Sequence, residues 1–143
     1  MSFDFKLDGG DIKIGPSGTI VQVVDDAKLR QDLLKIILTP LGTNQLYPWY
    51  GSPINARTVG KLLDPKILKL EATNAIIYAI NNLMKLQKDQ ERSGQFLTPS
   101  EAISQMLEVL VEQSRFDGRQ FNVSVSVATR RSNVVSEAFS LAA

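Results

Sequence analysis

The stretch "TPSEAISQMLEVLVEQ", Thr98 to Gln113, decides how many helices the chain holds. Thr98-Pro99-Ser100-Glu101 has the form of a capping box. A hydroxyl stands at the N-cap, proline follows where no amide partner is needed, and a carboxylate three residues on can reach back. Behind it Ile103, Met106, Leu107, Leu110 and Val111 recur at intervals of three and four, so the spacing predicts a helix with a buried stripe.

Downstream, Phe116-Asp117-Gly118 marks a turn. Phe121, Val123, Val125 and Val127 then alternate with Gln120, Asn122, Ser124 and Ser126 as a half-buried strand. Thr129 to Asn133 is a polar turn, and Val134 to Leu141 returns as the second strand of a β-hairpin. This last strand alternates poorly, because Glu137 shares a face with Val135, Phe139 and Leu141; such a pattern specifies register weakly. A strand at a chain end is also a candidate edge strand, open to strand addition.

Upstream, Asp64-Pro65 is an N-cap followed by proline at the first helical position. Ala72, Ile76, Ala79, Ile80, Leu83 and Leu86 keep the helical period to about Arg92, ahead of a stop at Gly94. The helix would be roughly 40 Å long if unbroken, so protrusion or a break near Thr73-Asn74 is expected. Before it comes "LRQDLLKIILTPLGTNQLYPWYGSPI", Leu29 to Ile54, where Leu29, Leu33, Ile36 and Ile37 share one helical face. Asp25-Asp26 can cap this helix and Pro40 ends it. Trp49 and one tyrosine are expected to fill the gap between that helix and the sheet. The functional alternative has Tyr47, Trp49 and Tyr50 facing a protein partner, where aromatics supply binding energy.

The first 24 residues alternate and turn at Gly9-Gly10 and at Gly15-Pro16-Ser17-Gly18, which gives short strands. The expected fold is α+β: a small antiparallel sheet with three main helices packed on it and a C-terminal β-hairpin. One domain spans 1–143, with N-terminal strands over 1–24, a helical body over 25–114 and the hairpin over 119–143.

With 143 residues, 43% hydrophobic and 22% charged, the chain can bury a core without crosslinks. A net charge of +1 supplies no field for nucleic acid or an anionic membrane, and neither is expected as a partner. There is no cysteine and no histidine, which removes thiolate chemistry, the commonest general base and the commonest metal ligand. No cofactor or metal is expected, and the N-terminus shows no basic-plus-apolar leader.

Glycoside cleavage needs two carboxylates about 5–9.5 Å apart. Glu71, Glu91, Glu101 and Glu112 are candidates, but the capping box explains Glu101, and Glu71 and Glu91 fall on polar helix surfaces. Arg130-Arg131 at the hairpin tip reads as a solvated turn, with phosphate contact as its rival. No catalytic residue is assigned, and the chain is expected not to be an enzyme.

The run Leu29-Arg30-Gln31-Asp32-Leu33-Leu34, then Leu38-Thr39-Pro40-Leu41-Gly42-Thr43, then Tyr47-Pro48-Trp49-Tyr50-Gly51-Ser52 resembles the W-like baseplate wedge proteins, or sheath initiators, of contractile-tailed phages. Their recurrent pattern is a helix with arginine or glutamine near its start, LLTxxG, and PxxG(S) several residues on. Gly10 to Asp26 looks like the strand segment that precedes that helix, and the later plan fits over most of the chain.

The resemblance implies a virion protein of the tail baseplate, assembled in the host cytoplasm, in several copies, six being expected, around the tail axis. Its implied partners are the tail sheath protein, baseplate wedge proteins, and tube or hub proteins. It implies that Val134, Val135, Ser136, Glu137, Ala138, Phe139, Ser140 and Leu141 pair with sheath strands and begin sheath polymerisation. Wedge contact is implied for Tyr47, Trp49 and Tyr50. Many relatives, including those of type VI secretion baseplates, carry Glu-Pro-Arg ahead of the hairpin. This chain has Glu112-Gln113-Ser114-Arg115 instead, so Glu112 and Arg115 are the nearest substitutes for wedge docking. The alternative function is a tail-associated, lysozyme-like enzyme that cleaves peptidoglycan.

Overall fold

The computed structural model describes residues 2–61 and 63–142. Four two-residue strands come first: β1 (Asp4–Phe5), β2 (Leu7–Asp8), β3 (Asp11–Ile12) and β4 (Gln22–Val23). Helices α1 (Asp25–Leu38), α2 (Ile54–Thr58) and α3 (Pro65–Arg92) follow, then β5 (Ile103–Gln113), β6 (Gln120–Thr129) and β7 (Val134–Ala142). The α+β class is as expected. The count of three helices also holds, but its third member is α2 and not the stretch from Thr98.

That stretch makes one turn and then a strand. Glu101 does reach back to accept from the Thr98 amide at 3.0 Å, and the Glu101 and Ala102 amides both donate to the Thr98 carbonyl at 3.1 Å. Gln87 of α3 then takes over the backbone. Its Nε2 donates to the Glu101 carbonyl at 2.8 Å and its Oε1 accepts from the Ile103 amide at 2.9 Å. The chain leaves as β5, the third strand of an antiparallel sheet ordered β5-β6-β7.

The helical spacing in β5 has a specific origin. Its register on β6 shifts between Ile103 and Gln105 and again between Met106 and Glu108. Each shift is a bulge that inserts one unpaired residue, Ser104 and then Leu107. The residues opposite the buried side of β6 are therefore Ile103 (on Thr129), Met106 (on Val127), Val109 (on Val125) and Val111 (on Val123). Their intervals of three, three and two imitate a helical stripe, although the backbone is extended. The helical body expected over 25–114 accordingly ends with α3.

The expected hairpin of β6 and β7 forms, with Val127 opposite Val135 and Val123 opposite Phe139. One face of the sheet is buried by Phe121, Val123, Val125, Val127 and Val135 against the two long helices. In α1, Leu29, Leu33, Ile36 and Ile37 are buried, as the period requires. Asp25 and Asp26 do not cap α1: no side chain caps it, and Asp25 instead accepts from the Thr98 hydroxyl at 2.6 Å. Pro40 lies just past the last helical residue, with Thr39 extended at ψ 122°.

Helix α3 runs unbroken for 28 residues from an Asp64 cap that accepts from the Lys66 amide at 2.8 Å. No break occurs at Thr73-Asn74, since the Thr73 hydroxyl bonds within the helix to the Lys69 carbonyl. Leu68, Ala72, Ala75, Ile76, Ala79, Ile80 and Leu83 bury one side of it. The length is absorbed because α1, α2 and β5 all pack against it.

The N-terminal strands form a small meander tied to α1. Gln31 accepts from the Leu7 amide at 2.9 Å and donates to Asp4 and to the Phe5 carbonyl, both at 2.8 Å. Lys35 closes the tie with a 2.7 Å ion pair to Asp4.

Candidate functional site

Strand β7 pairs with β6 alone, so it is an edge of the sheet. The turn before it fixes which backbone groups face outward. Thr129 donates its amide to the Asn133 carbonyl at 2.9 Å, and Ser132 turns the chain at φ 67°. Hydrogen-bonded and non-bonded pairs then alternate along an antiparallel ladder. Val135, Glu137, Phe139 and Leu141 spend their backbone groups on β6, and those of Val134, Ser136, Ala138 and Ser140 point away from it. The 2.9 Å contact between the Ser126 and Ser136 hydroxyls agrees, because side chains approach most closely at non-bonded pairs.

The side chains alternate in the same way. Val135 is buried, and Phe139 and Leu141 pack against the core, whereas Val134, Ser136, Ala138 and Ser140 are exposed. Poor sequence patterning comes down to Glu137, which sits on the inward face yet stays half-buried at the margin of α1.

The hairpin tip is not a free basic turn. Arg130 makes a two-pronged ion pair to Glu91 of α3, and its amide donates to the Ala102 carbonyl at 2.9 Å. The Arg131 amide donates to the Pro99 carbonyl at 3.1 Å. The tip clamps the Thr98 turn to α3, which corrects the expectation of a solvated turn. The guanidinium of Arg130 holds the Glu91 carboxyl below its ordinary 4.5.

The aromatic segment is fastened from both ends. Ser52 donates its amide to the Thr39 carbonyl at 2.9 Å and accepts from the Leu41 amide at 3.1 Å. Gly51 passes this point at φ 119°, where an added Cβ would stand 2.6 Å from the Thr39 carbonyl oxygen; only glycine fits. Trp49 does not fill a gap against the sheet. It lies on α3, where Asn82 donates to its carbonyl at 3.1 Å and the Lys85 ammonium sits 5.8 Å from its ring. Tyr47 stacks edge-on against Trp49 at 5.8 Å and is half exposed. Tyr50 packs on the core, and burial pushes its phenol up, partly offset by the Lys35 ammonium.

Glu112 and Arg115 are exposed at the far end of the sheet. The loop after Glu112 carries Arg115 and the fully exposed Phe116, and its Gly118 and Arg119 line a cleft of about 310 Å³ with Gly60, Leu63 and Pro65 by the start of α3. Asn82 and Lys85, under Trp49, lie about 25 Å or more further along that helix at 1.5 Å per residue. The structure therefore does not unite Glu112 and Arg115 with Tyr47, Trp49 and Tyr50.

The glutamates do not form one pair either. Glu71 and Glu91 stand about 30 Å apart along α3, Glu101 is buried under Ser2 and Thr98, and Glu112 is exposed on β5. A carboxylate pair that sequence reading missed is Asp4 and Asp32, brought to one ammonium: Lys35 Nζ is 2.7 Å from Asp4 and 3.9 Å from Asp32. They line a cleft of about 490 Å³ with Tyr47 and Tyr50. Burial raises the Asp4 carboxyl, but Lys35 and Gln31 outweigh it and hold the group below its ordinary 3.8. No spacing signal joins Asp4 to α1, since the contact is made by tertiary docking. Among the described residues no group of three or more acidic side chains could hold a metal ion, and no helix is long and apolar enough to cross a membrane.

No family model matches the chain, and no curated protein matches it. A crystal structure from Geobacter sulfurreducens described as a "putative tail lysozyme" has the same fold. It aligns with a TM-score of 0.55 at 11% identity, over 80% of this chain and 87% of that one. The chain thus shares the fold of a tail-associated protein. The lysozyme description overturns the expectation that the chain is not an enzyme, and glycan cleavage is carried forward as a second reading.

Proposed function

We propose that this chain is a baseplate component of a contractile phage tail that starts sheath assembly by lending β7 to strands of the first sheath ring. The observation that carries this reading is the free edge of β7, whose outward groups at Val134, Ser136, Ala138 and Ser140 have no strand beside them among the described residues. Main-chain pairing supplies affinity without demanding particular side chains, which suits the small, exposed outer row of serine and alanine. The shared fold with a tail-associated protein supports the setting, and the sequence resemblance supplies the sheath and wedge partners. Two separated surfaces, Tyr47 with Trp49 and Glu112 with Arg115, then serve as wedge contacts. Several copies in the virion tail would repeat each contact by symmetry, so modest interfaces add.

Removing β7 outright would strip Val135 from the core, so the test uses Ala138→Pro. This substitution deletes one outward amide, and an edge strand tolerates it. Sheath protein is added to wedge and tube complexes carrying wild type or the variant, and ordered growth is scored by negative-stain microscopy. Growth with wild type alone supports the reading; equal growth removes it.

The second reading is peptidoglycan cleavage, favoured by the neighbour's description and by the Asp4–Asp32 pair in its cleft. Asp4, held ionised by Lys35 and Gln31, has the character of the charged member of such a pair. Clearing of a peptidoglycan suspension by wild type but not by Asp32→Asn is the expected result, and no clearing by wild type ends this reading.

A further inference from the structure

A groove of about 630 Å³ lies where α1, the β2–β3 hairpin and β7 meet. Its floor is the outward face of α1, at Ala27, Arg30, Leu34 and Leu38; Leu7 overhangs one side and Glu137 of β7 closes the other. Leu7 and Leu38 are left 41% and 48% exposed, an apolar surface that nothing in the chain covers among the described residues. Arg30 and Glu137 make no ion pair among the described residues, whereas Lys35 and Gln31 on the same helix both bond to Asp4.

The position of Glu137 links this groove to the free edge. It projects from the inward face of β7, the face that α1 covers. A strand added beside β7 would alternate likewise, one row of side chains outward and one row inward. The inward row would come down on the α1 surface beyond the edge, where the groove lies. Backbone pairing alone leaves such a row over water, whereas here it meets leucines and the Arg30 guanidinium.

We propose that the groove is the side-chain receptor for the strand that pairs with β7, and that it selects an extended segment of the sheath protein with apolar residues at alternate positions and a carboxylate to meet Arg30. This rests on the strand-addition reading and adds to it the specificity that main-chain hydrogen bonds lack. The groove supplies discrimination; the edge supplies most of the binding.

The test measures binding of purified cognate sheath protein to the full chain by sedimentation. The variants are Leu34→Lys and the more exposed Arg30→Glu on the floor, and Ala138→Pro at the edge, each checked for folding by circular dichroism. The expected pattern is loss beyond about 100-fold for Ala138→Pro and a tenfold or larger weakening for each groove variant, with Arg30→Glu the cleaner case because its side chain carries no core packing. Loss with Ala138→Pro but wild-type binding by both groove variants overturns the groove and leaves strand addition standing. Wild-type binding by Ala138→Pro overturns strand addition and, with it, this inference.

Discussion

Asp64-Pro65 and Thr98-Pro99 open alike, each a capping residue followed by proline, and they end differently. The first starts a helix of 28 residues; the second starts a single turn and then a strand of 11. Asp64 caps by accepting from Lys66, while at Thr98 only half of the box forms: Glu101 reaches back to the Thr98 amide, but the Thr98 hydroxyl goes to Asp25. What differs is the next bond. Beyond Asp64 the backbone has no partner but itself, and alanine and leucine keep it helical. Beyond Thr98, Gln87 claims the Glu101 carbonyl and the Ile103 amide, and β6 offers a whole edge to the valines that follow. A capping box therefore specifies where a turn begins and leaves its length to the neighbours.

The sharpest way to break this comparison is to delete single residues from β5. Removing Val109, a paired inward residue, slips part of the strand by one and turns inward side chains out; we expect a loss of about 3 kcal/mol or more, or failure to fold. Removing Leu107, the unpaired bulge residue, should leave the inward row in place and cost about 1 kcal/mol. Urea midpoints decide it, and the reverse order would refute the bulge account of the helical spacing.

Gln87→Leu comes next. It keeps bulk in α3 but leaves a buried carbonyl and a buried amide without partners, a loss of about 2–4 kcal/mol by denaturant unfolding. An effect near zero would mean that the sheet alone ends the turn. Cap substitutions are smaller. Asp64→Ala should cost about 1 kcal/mol through lost capping. Thr98→Val should cost a similar amount, but through the Asp25 hydrogen bond, so it should vanish in an Asp25→Ala background when melting temperatures are compared as a double-mutant cycle.

The smallest effect concerns the N-terminal meander. The folded Asp4 carboxyl lies below its ordinary 3.8, so its contribution is present above that pH and is lost as pH falls through the lowered value. Amide exchange near β1 and β4 should therefore rise below pH 3.8 while β6 stays protected, and Asp4→Asn should remove the acid dependence. Equal loosening of both regions would show that Asp4 is not the local tie.

The functional surface divides in the same manner as the fold. The terminal strand, its candidacy as an edge and the odd placement of Glu137 were all legible, because period-two alternation shows on a regular strand. The inward stripe of α1 was legible for the matching reason at period 3.6. The clamp of Arg130 on Glu91, the perch of Trp49 on α3, and the meeting of Asp4 with Asp32 were not. Each joins residues 28 to 39 or so apart in sequence through packing that no local pattern encodes.

By itself the sequence determined the composition class, the inward stripe of α1, the start of α3, the hairpin and its turn, and the alternation that makes β7 one-sided. These are local properties, decided by backbone sterics and side-chain spacing within a few residues. Only the tertiary structure decided that Ile103 to Gln113 becomes a strand, because two bulges gave an extended chain the spacing of a helix. It also decided where the edge, the groove and the carboxylate cleft lie, since each is built from elements that meet only when the core closes.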